Sequence, residues 1–562
     1  MSSPQDIDPA GAPANRGGIL APLQLPVFRG IWFASLLSNL GLLIGGVGGA
    51  WAMTQLTPAP DMVALVQTAM TAPVMLVALW AGAMADMYDR RRLGLVALCI
   101  ALVSSVSLAA LGVFGQITPP TLLTLTFLIG CGMALFGPAW QASVGEQVPP
   151  NALPSAIALN SISYNIARSF GPAVGGMIVA AAGASAAFAT NALLYLPLLI
   201  VLFRWRRVQE PPRLPPERLT RAVVSGIRYV VHSPPIRIVL TRTFVMGSLG
   251  GSISALMPVV ARDLLHGGAQ VFGVILGCFG LGAVLGALSI TAVRRRLSGE
   301  AGACACALTM GAALAVVGVS RSPPLTAAVL VAAGAAWMIA ITLFNVAVQL
   351  SAPRWVAGRA LSTFQTATAG GIAIGSWGWG RLASGVGVGL TLVVAGGVLA
   401  ASAALGVWLR TPSVRPASAE PVGLLADPEV ALALTPRSGP IVVEIAYRVE
   451  PRDARPFYRL MQEVQLMRQR NGAYSWSIAR DIADPAVWVE RFACSTWLDY
   501  LRHRNRPTQD ERALQDRARA FHVGAAPLVV RRMLERPFGS VRWKDEAPDH
   551  APTLPTLSSE GS

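Results

Sequence analysis

Between Phe28 and Leu409 the apolar residues fall in long, nearly unbroken stretches instead of a one-sided helical or alternating strand pattern. A helix needs ~20 such residues to cross a ~30 Å hydrocarbon core. Twelve spans are predicted, over residues 28–52, 62–83, 93–115, 121–146, 153–181, 183–203, 237–261, 269–292, 302–320, 325–350, 357–383 and 387–409. Residues 1–27 are polar and rich in Pro, Ala and Gly, without the basic-then-apolar layout of a cleaved signal, and read as a disordered lead. Residues 204–236 form a basic linker, 410–436 a second linker, 437–535 a soluble domain and 536–562 a disordered tail.

Composition agrees with a membrane protein. Charged residues make up 13% of the 562, against ~25% in soluble domains. Of the 24 arginines between positions 28 and 415, 20 lie on one side of the predicted spans, and only Arg262, Arg321 and Arg381 lie near the other, with Arg168 inside a span. Basic residues in short loops stay cytoplasmic, so both termini are expected there, in a bacterial cytoplasmic (inner) membrane. Lys544 is the only lysine, which excludes a phosphate-binding G-x-x-x-x-G-K-[ST] loop and a lysine Schiff base. The histidines form no H-E-x-x-H pair, and five of six cysteines sit in apolar runs, so no metal site and no cofactor is expected.

The chain also repeats itself. Arg90 to Arg92 recur as Arg294 to Arg296, and Gly82, Gly171 and Gly176 recur as Gly286, Gly375 and Gly380, all at an offset of 204. Phe136 and Gln141 match Phe344 and Gln349 at an offset of 208. Two six-helix halves (28–203 and 237–409) follow, an arrangement that secondary carriers share. In the linker, residues 217–232 place Val223, Val224, Ile227, Val230 and Val231 on one helical face with Arg218, Arg221 and Arg228 elsewhere, as in a helix lying on the inner leaflet.

The stretch Gly82-Ala-Met-Ala-Asp86-Met-Tyr-Asp89-Arg90-Arg91-Arg92 resembles the loop 2–3 signature of the major facilitator superfamily, G-x-x-x-D-x-x-G-[RK]-[RK]-[RK]. Asp89 stands in the place of a glycine, so the tight turn there must be made by Asp, which tolerates left-handed geometry less cheaply than Gly. The resemblance implies a gating role for Asp86, Arg90 and Arg91. Arg168-Ser-Phe-Gly171-Pro172-Ala-Val-Gly175-Gly176 resembles the G-P-x-x-G-G core of that superfamily's exporter motif, which adds Gly171 and Pro172 to the gate. Residues 20–535 as a whole resemble the transmembrane secretion effector branch, which includes enterobactin exporters.

A charge at mid-bilayer costs ~2.5–3.5 kcal/mol, so it should face a cavity or a partner. Arg168 is such a charge, and Asn160 and Tyr164 precede it at a spacing of four, on the same helical face. It serves either a polar or anionic substrate group or the backbone carbonyls near Gly171 and Pro172. Asn39, Gln141, Asn345, Gln349 and Gln365 are the further polar candidates for substrate binding. The acids between 28 and 410 are Asp61, Asp86, Asp89, Glu146, Glu210, Glu217, Asp263 and Glu300, none in mid-span. Glu146 and Asp61 are therefore the candidates for coupling to protons, and antiport itself is what the family resemblance implies.

Residues 437–546 differ in kind, with 20 basic and 14 acidic groups. Strands at 441–449, 474–478, 487–495 and 527–533 and helices at 453–470 and 496–521 give a βαββαβ, ferredoxin-like order. This segment resembles the antibiotic-biosynthesis-monooxygenase type of dimeric α+β barrel. A pocket of Trp476, Trp488, Arg491 and His522, or dimerisation through this domain, is what that implies. The fold class expected is an all-α membrane protein of twelve transmembrane helices in two pseudo-symmetric halves, plus a C-terminal α+β domain. The function expected is secondary export of a small organic molecule by alternating access, not enzyme catalysis. Its partners are that substrate, the lipid bilayer and protons, with no nucleic acid. The alternative is a membrane-tethered, cofactor-free oxygenase or ligand sensor. Removing residues 416–562 separates the two.

Overall fold

A computed structural model describes residues 20–149, 152–205, 219–353, 356–410, 428, 430–432, 434–524 and 527–535. The predicted disordered ends and much of both linkers lie outside the described residues. The chain forms two compact units. The first holds residues up to Leu219, Val239–Val346 and Ser362–Thr411; the second gathers Thr220–Ile238, Ala347–Leu361 and the chain from Pro412 on.

In the first unit the apolar runs are helices: α1 (Pro26–Leu56), α2 (Pro60–Met87), α3 (Arg90–Val113), α4 (Pro119–Gln147) and α5 (Leu153–Arg204). After the linker helix α6 (Leu219–Val231) come α7 (Pro234–Val259), α8 (Ala269–Arg296), α9 (Gly299–Val319), α10 (Pro323–Ser351), α11 (Ala357–Val386), α12 (Val388–Ala401) and α13 (Leu405–Trp408). Prolines start many of these helices, where the missing N–H is harmless. Among the described residues ten segments are long and apolar enough to cross a membrane. Residues 155–204 count there as one, yet Gly183 interrupts them with φ 81° and ψ 174°, a conformation that glycine alone adopts readily. The predicted boundary between spans 5 and 6 falls on that residue. Exposed Val103, Leu193, Leu288 and Val407 coat the outer surface, an arrangement suited to lipid and costly in water.

The glycines that recur at an offset of 204 lie at close helix contacts. Gly171 of α5 lies against α1, where a Cβ would meet that of Leu43 at 2.8 Å, and Gly375 of α11 lies against the backbone of Ser248 in α7. Gly176 brings α5 within reach of Gly273 in α8, and Gly380 brings α11 against Asp61 and Ala64 in α2. Small residues let helix backbones approach where lipid supplies no hydrophobic drive.

In the second unit, β1 (Ile441–Arg448), α14 (Ala454–Arg470), β2 (Tyr474–Arg480), β3 (Val487–Cys494), α15 (Trp497–Asn505), α16 (Gln509–Arg519) and β4 (Val529–Leu534) build an antiparallel sheet in the order β2-β3-β1-β4. One face buries Val443, Ile445, Tyr447 and Phe492 against Phe457, Leu460, Met461, Val464 and Met467 of α14. The single helix expected over 496–521 is two helices. Pro507 cannot donate to the helical ladder, and Thr508 with Glu511 forms a capping box that starts α16 afresh.

Candidate functional site

Arg168 lies on α5 with its guanidinium 5.6 Å from the centre of the Phe279 ring in α8. Among the described residues it has neither a hydrogen-bond nor an ion-pair partner, so the backbone carbonyls near Gly171 and Pro172 do not hold it. Two turns earlier Asn160 carries a buried Oδ1 with no partner, and Tyr164 between them is 45% exposed. The face predicted from spacing therefore presents an unneutralised cation, an amide acceptor and a phenol. Asn39 is half-buried, Gln141 and Gln365 are exposed, and none of the three makes a hydrogen bond among the described residues. Asn345 is half-buried and Gln349 exposed, and both have partners.

A cavity of about 60 Å³ opens nearer the end of the spans remote from Pro26, lined mainly by apolar groups such as Val66, Met70, Leu108 and Phe188. Gln67, Thr126, Asn191 and Ser254 add polar groups to its wall. Asn191 is 2% exposed; its Nδ2 donates to Ser105 Oγ at 3.1 Å while its Oδ1 has no partner. Its position follows from α1, where Gly45 leaves room for the amide, since a Cβ there would lie 2.7 Å from Nδ2. None of the predicted polar residues lines this cavity. Gln67 and Asn191 carried the same signal as Asn39, an amide within an apolar run.

Charged groups fasten both ends of the bundle. At the arginine-rich end Arg90 Nη1 donates to Glu146 Oε1 at 2.7 Å, joining α3 to α4, and Arg91 donates to the carbonyls of Leu202 (2.9 Å) and Phe203 on α5. Asp89 does not take up left-handed geometry: its φ is −60°, and its carboxylate caps α3 by accepting from the amides of Arg91 and Arg92. The side chain of Asp86 lies outside the described residues. A second clamp was not predicted. Arg242 of α7, 6% exposed, donates to both carboxylate oxygens of Glu300 at 2.7 and 2.6 Å and to the carbonyl of Leu409 at 3.3 Å. At the opposite end the clamps join helices that precede the linker to helices that follow it. Arg262, in a π turn after Pro258, donates to the carbonyls of Thr54, Thr57 and Pro58, and Arg381 reaches Asp61 at 3.2 Å. The Asp61 amide donates to Ser384 Oγ at 3.2 Å.

In the C-terminal domain Glu490, fully buried, accepts from Arg468 Nε (2.9 Å), Trp476 Nε1 (3.0 Å) and Tyr447 Oη (3.1 Å). Burial, with Arg468 alongside, pushes the His503 imidazole down to about 3, so it is neutral at physiological pH. The four residues expected to share a pocket are not brought together. Strand alternation puts Trp488 and Arg491 on opposite faces of β3; Trp476 is engaged with Glu490, and His522 Nδ1 accepts from the Arg448 amide at 2.9 Å.

Comparison with known proteins adds to this geometry. A family model described as transmembrane secretion effector (MFS_3) matches residues 17–538. The Staphyloferrin A transporter of Staphylococcus aureus (strain NCTC 8325 / PS 47) is 26% identical over 262 residues, 46% of this chain and 66% of that protein, so the match spans just under two thirds of it. The multidrug efflux pump Tap of Mycolicibacterium fortuitum is 25% identical over 339 residues, 58% of this chain and 82% of that protein. The crystal structure of a mutant of the nucleoside transporter NupG superposes with a TM-score of 0.57 at 11% identity, covering 68% of this chain and 100% of that one, a likeness of fold alone.

Proposed function

The chain belongs to the transmembrane secretion effector family of MFS-type membrane transporters, and from that premise we propose that it exports a small organic molecule bearing an acidic group, by alternating access between its two halves. The observation that carries this reading is Arg168, an unpartnered guanidinium on a predicted span, backed by the Phe279 ring and preceded by the unpartnered Asn160 amide. Such a cation is costly until an anion reaches it. A carboxylate or similar group on the substrate neutralises it and takes up its donors as a bidentate pair.

Dividing α5 at Gly183 and adding α11 to the apolar segments makes twelve crossings, with both chain ends on the arginine-rich, cytoplasmic side. The clamps between halves at the opposite end then belong to a state closed toward the outside. Asp61 is the better placed of the two coupling acids, because its partner Arg381 sits in the other half; neutralising it by a proton removes one bond holding that end shut. Glu146 pairs with Arg90, on the neighbouring helix of the same half. The sheet order β2-β3-β1-β4 supports the ferredoxin-like reading of the C-terminal domain.

Full-length protein in proteoliposomes, challenged with staphyloferrin A, other carboxylate-bearing siderophores and amphiphilic cationic drugs, tests the substrate class. Acid-bearing compounds should move, and Arg168→Gln should slow them at least tenfold while Val103→Ala, on the outer surface, changes transport little. Transport of the cationic drugs alone, or acid-bearing cargo moved equally well by Arg168→Gln, would sink the reading.

A further inference from the structure

The linker helix α6 has two unlike faces. Gly226, Tyr229 and Val230 are buried, a spacing of three and one that defines one side of the helix, and Ser233 just past its end is buried as well. Val224, Ile227 and Val231 remain 58%, 40% and 50% exposed on another side. Of the apolar residues expected to meet a membrane surface, Val230 alone is buried; the hidden face is a different one.

The contacts of α6 are specific. Where Gly226 lacks a side chain the stem of Arg359, in the first turn of α11, fills the space, and a Cβ there would lie 2.8 Å from Arg359 Cβ. Arg228 lies over Gly472, just past the end of α14, with Nη2 3.1 Å from where a Cβ would be. Gly472 has φ 115°, so the bare backbone that receives the guanidinium is also one that side chains disfavour. Tyr229, 3% exposed, is within electrostatic range of Glu511 and Arg470. These two are themselves an ion pair at 2.5 Å, and Glu511 also accepts from Asn471 Nδ2 and from the Thr508 amide, tying the end of α14 to the start of α16. The seat for α6 is thus a preformed, hydrogen-bonded corner of the C-terminal domain.

We propose that the C-terminal domain is a brace for the linker between the halves: it clasps α6 against the first turn of α11, so that α6 moves with the second half, and release of α6 changes how the arginine-rich ends of the two halves separate. The amphipathic linker then has a use for both faces. One is held by the domain, and the exposed Val224, Ile227 and Val231 are left for the bilayer surface. The inference uses the movement of two halves that alternating access requires, but its test needs no substrate, so a failed transport assay and a failed brace are told apart.

Two readouts on full-length protein in nanodiscs test it. Hydrogen exchange reports whether α6 is held, and a nitroxide pair at Tyr88→Cys and Leu297→Cys, with Cys99, Cys131, Cys278 and Cys304 replaced by alanine, reports the separation of the arginine-rich ends. Tyr229→Glu should speed exchange in α6 at least tenfold and shift or broaden the distance distribution of the pair. Gly226→Leu, which collides with Arg359 and leaves the C-terminal domain's own core untouched, should do the same if Tyr229→Glu yields no folded protein. Unchanged exchange in α6 with either variant overturns the clasp. Faster exchange with an unchanged distance distribution overturns the brace.

Discussion

The helices before the linker and those after it, the two halves proposed above, share their glycine seams but differ in the charge clamps seen among the described residues. Gly171 and Gly375 each seat the fifth helix of a half on its first, and Gly176 and Gly380 each meet the other half. At the arginine-rich end the first half ties α3 to α4 through Arg90 and Glu146, whereas the second ties α7, α9 and the Leu409 carbonyl through Arg242 and Glu300. The positions are not related by the repeat. A close backbone approach tolerates almost no substitution at the point of contact, so a duplicated fold keeps its glycines in register. An arginine on a long stem reaches any of several helix ends, so the same mechanical task has more than one solution.

The largest difference is expected at the seams. A methyl group at Gly171 meets the Cβ of Leu43 at 2.8 Å, an overlap that a small shift between the two helices relieves, while one at Gly375 meets the carbonyl oxygen, carbonyl carbon and Cα of Ser248 at closer range and demands a larger shift. Overpacking typically costs ~1–3 kcal/mol; Gly171→Ala belongs at the lower end and Gly375→Ala at about 3 kcal/mol. Thermal unfolding in detergent, followed by size-exclusion fluorescence, compares them. Equal losses would mean that the second seam is as compliant as the first.

A smaller contrast separates the clamps. Removing one partner of a fully buried pair costs ~3–5 kcal/mol, but Glu300 is 30% exposed, which lowers the expectation for Arg242→Ala to about 2 kcal/mol. Arg90 and Glu146 are 25% and 21% exposed, and Arg90→Ala should cost about 1 kcal/mol. Double-mutant cycles with Glu300→Ala and Glu146→Ala isolate the two coupling energies. A coupling at Arg90 and Glu146 equal to that at Arg242 and Glu300 would erase the asymmetry argued from burial.

These contrasts also mark how far the sequence can be read. The apolar runs, the boundary at Gly183 and the repeated glycines are legible because length and local geometry dictate them. Arg168 is legible because a charge in an apolar run has few explanations. The clamp between Arg242 and Glu300 is not, since its partners are 58 positions apart on separate helices and no local pattern links them. Asn191 and Gln67 were visible by type, but only the packing of the glycine face of α1 brings Asn191 to the cavity wall. For α6 the pattern announced two faces and could not say which surface each would meet. The break between α15 and α16 is written in Pro507, with Asn505 and Thr508 beside it, residues that favour helix ends over helix interiors.

The smallest expected effect concerns the caps of the third helix in each half, and it tests whether the halves differ in local chemistry as they do in wiring. Asp89 accepts from the amides of Arg91 at 2.8 Å and Arg92 at 3.3 Å, and brings a negative charge to the positive end of α3. Ser298 accepts once, from the Ala301 amide at 3.2 Å, with no charge. Loss of an N-cap costs ~0.5–2 kcal/mol, so Asp89→Ala should cost about 1.5 and Ser298→Ala about 0.5 kcal/mol. Asp89→Asn should recover most of the first, because the hydrogen bonds stay and only the charge is lost. Asp89→Gly separates the cap from the glycine of the superfamily signature: with φ at −60° the backbone gains nothing from glycine, so this variant should be no more stable than wild type. A gain in stability with Asp89→Gly would show that Asp89 bears a strain that its φ does not reveal.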